Sequence, residues 1–261
     1  MAWYSATDQL GRAVELKARP ERIMSLVPSQ TELLYDLGAG DQVIGITRYC
    51  THPVHWRKEK KLVGGTKRPD HTLINKLQPD LIIGNKEENR REDIVALEKQ
   101  FPVWMSDVVT FEDAFSMIQS VADLTGHETE GKRLVASIQL AFSEIKKCGD
   151  LSVLYLIWHK PWMAVGSGTF IHSVLSSLGL VNVVTNEDRY PVLSDAQMTE
   201  LHPDLVFLSS EPYPFFDKHL KDVNLLFPRS KILKVDGEMF SWYGSRLTLA
   251  PAYFNSLRIG S

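Results

Sequence analysis

Arg22-Ile23-Met24-Ser25-Leu26-Val27-Pro28-Ser29-Gln30-Thr31-Glu32-Leu33-Leu34 is the stretch on which the fold turns. Its first half, Arg22–Val27, is a short apolar run of the kind that forms a strand buried on both faces. Its second half changes period. Pro28 opens a helix, Ser29 offers a cap and Glu32 stands three residues on. Leu33, Leu34 and Leu37 then supply an apolar face until Gly38 ends the helix. A buried strand that feeds straight into a helix is the first half of a β-α-β unit.

The same rhythm continues on both sides. Upstream, Asp8-Gln9-Leu10-Gly11 separates two strand-like pieces and predicts a hairpin. Downstream, strands are expected at Gln42–Thr47, Asp80–Gly84 and Pro102–Met105, with helices at Leu73–Gln78 and Arg91–Gln100. From Phe111 to Lys147 the strand signal disappears. Leu134, Ile138, Phe142 and Ile145 recur at helical spacing, Gly126 divides two helices, and the second is expected to run for about 20 residues. After Gly149-Asp150 the strand–helix rhythm resumes at Val153–Trp158. The pattern is that of an α/β protein: two Rossmann-like lobes with mainly parallel sheets, joined by one long helix. The expected boundaries are an N-terminal lobe over 1–108, a helical connector over 109–149 and a C-terminal lobe over 150–261. An internal echo supports the repeat. Leu77-Gln78-Pro79-Asp80-Leu81-Ile82-Ile83 matches Leu201-His202-Pro203-Asp204-Leu205-Val206-Phe207, and Leu37-Gly38 before Val43 matches Leu178-Gly179 before Val181.

Composition excludes several classes. The chain carries 29 Lys+Arg against 32 Asp+Glu, a formal net charge of −3, without the basic surplus of a nucleic-acid binder. No apolar run approaches the roughly 18 residues of a membrane span. Met1–Asp8 has no basic start leading into an apolar core, so the chain as written is expected in the cytoplasm, or in the periplasm where a leader has been removed. Two cysteines, Cys50 and Cys148, are too few for a disulfide framework and are expected to be free thiols. No phosphate loop, dinucleotide fingerprint, nucleophile elbow or H-E-x-x-H occurs. The expectation is a monomeric protein with no catalytic residues and no resident metal or catalytic cofactor.

In a parallel α/β sheet, ligands bind beyond the carboxyl ends of the strands. The loops expected there carry Ser29, Gln30, Tyr49, Cys50, Lys67 and Lys86 in the first half. In the second they carry Trp158, Lys160, Trp162, Arg189, Tyr190, Tyr213, Trp242 and Arg246. Flat rings beside cations suit a large ligand with apolar faces and anionic edges. Trp242 and Arg246, four residues apart, are expected on one face of the final helix. Cys50-Thr51-His52-Pro53-Val54-His55 has metal-ligand chemistry but no second cluster to complete a site. Glu87-Glu88 and Glu211 are acids in these loops. Glu87, Glu211 or Glu238 as proton acceptor, with His52 or His55 nearby, allows an alternative reading as an enzyme on a similar bilobal scaffold, such as a tetrapyrrole metal chelatase or another corrinoid-handling activity.

The 22–34 stretch, followed by Leu37-Gly38 and Val43-Ile44-Gly45-Ile46-Thr47, resembles the opening of the helical-backbone (class III) substrate-binding proteins of ABC importers. Leu77-Gln78-Pro79-Asp80-Leu81-Ile82, the two-lobe echo and the long middle helix continue the likeness over nearly the whole chain. The resemblance implies a non-enzymatic binding protein for a large metal-bearing small molecule. A cobalamin-like corrinoid stands ahead of a ferric siderophore or haem, held in a cleft between the lobes for an ABC permease. Where family members commonly carry a permease-pairing glutamate on each lobe, this sequence has Thr72 and Ala196, with Asp70 and Asp195 close by.

Overall fold

The structure is a computed structural model that describes residues 3–257 and 259. The chain divides into two compact units. Unit 1 comprises the residues up to Val108, then Glu112–Gln139 and Gly244–Arg246; unit 2 comprises Val109–Phe111, Leu140–Tyr243 and the residues from Leu247 onward.

Unit 1 opens with the expected hairpin, β1 (Tyr4–Thr7) antiparallel to β2 (Ala13–Leu16). Asp8 builds its turn. One carboxylate oxygen accepts the Leu10 and Arg12 N–H groups at 2.9 Å, and the other accepts the Arg12 guanidinium and the Met105 N–H. Next come β3 (Ile23–Ser25), α1 (Pro28–Asp36), β4 (Val43–Ile46), α2 (Trp56–Glu59), β5 (Lys61–Leu62), a small ribbon of β6 (Gly64–Gly65) and β7 (Arg68–Pro69), α3 (His71–Leu77), β8 (Leu81–Asn85), α4 (Arg91–Glu98) and β9 (Val103–Ser106). The sheet order is β5-β4-β3-β8-β9, and every pair is parallel. All residues of β3, β8 and β9 are buried, which is why they read as continuous apolar runs rather than alternation. Their side chains join Leu26, Ile74, Leu97 and Phe101 in the core of this unit.

One local expectation is corrected. The N-cap of α1 is Val27, with extended backbone and no side-chain cap, rather than Ser29. Pro28 takes the first helical position, where its fixed φ suits the helix and its missing N–H costs nothing. Ser29 therefore already lies inside the first turn.

The sequence echo has a physical basis. Asp80 accepts the N–H groups of Glu21 (2.8 Å) and Arg22 (2.9 Å), just ahead of β3. Asp204 accepts the Ser152 N–H at 2.8 Å, where the first strand of unit 2 begins. In both units an aspartate entering a buried strand clamps the start of its neighbour.

Gly126, at φ +73°, separates α5 (Phe111–Thr125) from α6 (Glu128–Ser143). With 16 residues, α6 is shorter than expected. The chain leaves helix after Ser143, and the Lys146 N–H donates to Asn255 Oδ1 at 3.0 Å. The unit boundary falls within this helix, between Gln139 and Leu140.

Unit 2 contains β10 (Ser152–Trp158), β11 (Trp162–Ala164), α7 (Phe170–Ser177), β12 (Val181–Asn182), β13 (Val192–Leu193), α8 (Asp195–Glu200), β14 (Leu205–Ser209), α9 (Asp217–Leu226), β15 (Lys231–Val235), α10 (Gly237–Ser241) and α11 (Ala250–Ser256). Parallel neighbours β12, β10, β14 and β15 repeat the order β4-β3-β8-β9 of unit 1. Strands β11 and β13 extend the β10 edge antiparallel. The helices that precede β4 and β12 both end at a glycine with positive φ, Gly38 at +85° and Gly179 at +75°. A left-handed residue closes a helix without a Cβ penalty, which explains the second echo.

A close approach between α5 and α6 is testable. Alanine is about 1 kcal/mol better than glycine inside a helix. A Cβ on Gly131, however, would lie 2.5 Å from the Ala122 Cβ. Gly131→Ala is therefore expected to lose about 1–3 kcal/mol through overpacking, seen as a lower Tm. Adding Ala122→Gly should recover most of that loss. A single variant melting at or above the wild-type temperature would show that the helices can separate freely.

Candidate functional site

The carboxyl ends of the unit 1 strands are organised by buried polar side chains. Asn85, the last residue of β8, donates through Nδ2 to the carbonyl (3.2 Å) and hydroxyl (3.0 Å) of Ser106, the last residue of β9. Asn85 Oδ1 accepts the N–H groups of Glu87 and Glu88, so the loop after β8 is folded back on its own strand. Asn89 donates to the carbonyls of Leu26 and Thr66, tying three strand-end loops together. From the first turn of α1, Gln30 donates to Ser106 Oγ at 2.6 Å, while its buried Oε1 has no hydrogen-bond partner. Glu88 is half-buried, and desolvation pushes its carboxyl above the ordinary range against the pull of Lys67. Lys67 donates to the Glu87 carbonyl, and Lys86 pairs with Asp107 at 2.5 Å.

Cys50 is buried beside two hydroxyls, Thr31 Oγ1 at 3.1 Å and Thr47 Oγ1 at 3.3 Å. Burial pushes its thiol above the ordinary value, which disfavours the nucleophilic thiolate. Cys50 and Cys148 are both free. Among the described residues no group of three or more His, Cys, Asp or Glu could hold a metal ion. Tyr49 is 57% exposed, and a Cβ on Gly65 would come within 3.0 Å of its ring. The glycine thus lets the ring lie close over the β6 backbone. Ser29 is buried, and Gly244 passes it so closely that a Cβ there would sit 3.0 Å from the Ser29 carbonyl oxygen.

Arg246 belongs to unit 1, where it forms a two-point ion pair with Glu32 of α1: Nε to Oε2 at 2.8 Å and Nη2 to Oε1 at 2.5 Å. Their side chains are 7% and 13% exposed. Burial pushes the Glu32 carboxyl above its ordinary value even though the guanidinium pulls the other way. This corrects the expected shared face of Trp242 and Arg246. Trp242 is the C-cap residue of α10, and Arg246 lies in a separate 3-10 turn, Ser245–Thr248. Gly244 and Ser245 intervene outside the helix, so four-residue spacing sets no common face.

In unit 2 the strand-end loops are aromatic. Trp158 ends β10 at 37% exposure, with its ring 5.2 Å from that of Tyr213 in the loop after β14. Lys160, at φ +56°, is exposed with Nζ 3.9 Å from Asp222. Trp162 is buried in the unit 2 core, and its indole N–H donates to Asp195 at 2.9 Å. Trp242 is likewise buried and donates to Glu211 Oε1 at 3.0 Å, the oxygen that also accepts the Ser241 hydroxyl. Arg189, at φ +59°, pairs through its backbone with Gly166 and Ser167, and the neighbouring Tyr190 is half-buried.

Glu211 is therefore committed to Ser241 and Trp242, and His55 approaches Glu59 only at 4.0 Å. The structure also brings in residues that the sequence reading passed over: Glu32, Asn85, Ser106, His159 and His219. A polar residue closing an apolar run would have flagged Asn85 and Ser106. Nothing local flags the pairing of Glu32 with a residue 214 positions away.

The ion pair yields a prediction. Removing one partner of a buried pair costs about 3–5 kcal/mol because the other charge is stranded. Arg246→Met is expected to lose about that much stability near neutral pH. The sign with pH follows from Glu32. Its raised carboxyl loses stability as pH climbs through its folded value, and removing the guanidinium raises that value further. The Arg246→Met deficit should shrink on acidification and grow toward neutrality in urea melts. A deficit independent of pH would mean that Glu32 is not the stranded group.

Residues 23–226 match the family described as periplasmic binding protein. A Bacillus subtilis relative, named as an uncharacterised ABC transporter substrate-binding lipoprotein, is 26% identical over 211 residues, covering 76% of this chain and 67% of its own. The vitamin B12-binding protein of Pectobacterium carotovorum is 24% identical over 243 residues, covering 89% of this chain and 86% of its own. The solved periplasmic haem-binding protein of Vibrio cholerae superposes with a TM-score of 0.77 at 20% identity, covering 90% of this chain and 98% of its own, a likeness of fold. The family match is to binding proteins, in place of the enzyme alternative. No helix among the described residues is long and apolar enough to cross a membrane. With the match spanning most of its length, the chain belongs to the periplasmic binding protein family.

Proposed function

We propose that the protein is the binding component of an ABC-type import system and takes a large, flat, metal-bearing ligand, a corrinoid ahead of haem or a ferric siderophore. The observation that carries this reading is the exposed ring of Trp158, backed by Tyr213, at the carboxyl ends of adjacent parallel strands β10 and β14. Strand ends of this kind are where open α/β sheets bind ligands, and an aromatic face suits a macrocycle. The names of the relatives support the ligand class: one is a vitamin B12-binding protein and another an ABC substrate-binding lipoprotein. Within unit 2 the exposed and half-buried members of the set, Trp158, Lys160, Arg189, Tyr190 and Tyr213, make the contact. The buried Trp162 and Trp242 orient the loops.

Titration of the purified protein with cyanocobalamin, haemin and a ferric hydroxamate, followed by absorbance, tests the ligand class. A corrinoid should bind at one per chain, and failure of all three would overturn the class. Trp158→Ala should weaken binding roughly tenfold, the worth of one stacked face plus the area lost, with little change in Tm because the ring is exposed. Unchanged affinity would remove Trp158 from the contact surface. Delivery to a permease requires the protein on the outer side of the cytoplasmic membrane. Recovery from the cytoplasmic fraction of native cells would overturn the import role while leaving ligand binding intact.

A further inference from the structure

We infer that His219, with His159 packed against it, is a positioning residue that holds the aromatic strand-end face of unit 2 in place only while the His219 imidazole is uncharged. The inference rests on the proposed reading of Trp158 and Tyr213 as the ligand-contacting face.

His219 sits in the first turn of α9 and is 4% exposed. Its Nδ1 accepts the Phe216 N–H at 3.0 Å, so this nitrogen carries no proton. The neutral ring then has its one N–H on Nε2, 3.0 Å from the Tyr213 hydroxyl. A single tautomer therefore holds both the backbone and the tyrosine of the loop after β14. The His159 ring lies 4.7 Å from the His219 ring, and edge-on to Trp162 at 4.6 Å. Its Nε2 is 3.1 Å from Asp222 Oδ2. His159, His219, Tyr213 and Trp158 form a continuous series of ring contacts from the α9 turn to the exposed indole.

The charged and titratable groups around the pair come from every packed element. Asp222 and Lys218 lie on α9, and Lys160 in the loop after β10 shares Asp222 with His159. Asp195 of α8 is engaged by Trp162 beside His159, and Tyr213 faces both rings. Protonating His219 would turn Nδ1 from an acceptor into a donor aimed at the Phe216 N–H. It would also set a cation in the first turn of a helix, where the amide dipoles present their positive ends. Burial, then the neighbouring His159 and Lys218, hold this imidazole below the ordinary value. The stability it contributes is intact above the ordinary histidine value and is lost as pH falls toward the lower folded one. Acid thus releases Phe216 and Tyr213, and Trp158 loses its backing.

The test uses the intact ligand-free protein in an NMR titration from about pH 8 to about pH 5, the range over which histidines switch. It follows the His219 imidazole, the Phe216 amide and the Trp158 indole. All three should move together in one transition below the ordinary histidine value. In His219→Asn, whose side-chain carbonyl can still accept the Phe216 N–H, the transition should be absent. Titration of His219 at the ordinary value, a Trp158 indole that does not follow it, or a transition that survives in His219→Asn each overturns the inference. Where His219→Asn fails to fold, the wild-type titration decides alone. Cyanocobalamin affinity over the same range should fall roughly two- to tenfold, the worth of one aromatic face. Tight binding that stays flat with pH would also overturn the inference. Absence of binding by any probe at any pH would instead sink the proposed function and leave the NMR titration to judge the histidines.

Discussion

Buried polar side chains close several of the parallel strands, and the placement of the loops that follow depends on them. Ser25 ends β3, Asn85 ends β8, Ser106 ends β9 and Ser209 ends β14, while Thr47 follows β4 by one residue. All five are buried. An unpaired polar group at such a position costs about 1–3 kcal/mol, so each must find a partner, and the partners lie in the loops. Ser25 takes the Thr31 hydroxyl, Thr47 the Cys50 thiol, Asn85 the two amides that follow Lys86, Ser106 the Gln30 amide, and Ser209 the Glu211 carbonyl. Pairing these groups therefore forces one geometry on the loops from which a ligand would be held.

The Glu32–Arg246 pair works on a different principle. Burying two charges gains little net stability, because desolvation offsets most of the attraction. Burial raises the Glu32 carboxyl in the same sense, against the pull of Arg246. What the pair supplies is location. It fixes the short segment Gly244–Arg246 against α1, where Gly244 has no side chain to collide with Ser29. A lysine in place of Arg246 would keep the charge but lose the two-point geometry.

The α/β architecture was legible because burial on both faces writes strands as unbroken apolar runs, such as Leu81–Ile83 and Val153–Ile157. The Pro-Asp-Leu echo was legible because one job recurs: Asp80 and Asp204 each clamp the amino end of a neighbouring strand. The α1 boundary was misread because Ser29 fits the cap pattern, yet Pro28 ahead of it already adopts helical φ. Long-range pairings were illegible for a simpler reason. The sequence shows that Arg246 and Glu32 can each form an ion pair, but their 214-residue separation leaves no local pattern to join them. His159 and His219 stand 60 positions apart and read as ordinary loop and helix residues until the sheet brings β10 and β14 side by side.

Burial divides the aromatic set of unit 2 into two kinds of residue, and the division follows from what each ring carries. Phe240 has no polar atom and sits at the centre, with its ring 5.2 Å from Tyr155, 5.8 Å from Phe207 and 4.8 Å from Phe254. Trp162 and Trp242 are buried with their indole N–H groups accepted by Asp195 and Glu211. A buried indole without such a partner would lose the cost of desolvating its N–H. Each of these acids therefore offsets the desolvation of its tryptophan N–H. Trp158 is left 37% exposed, with its ring tilted against that of Tyr213. An exposed ring with an ordered back keeps one orientation, so binding on it need not first freeze a mobile side chain. On the proposed reading, the buried rings and their acids would serve recognition indirectly, by reducing the entropy that the few exposed rings lose when a ligand docks.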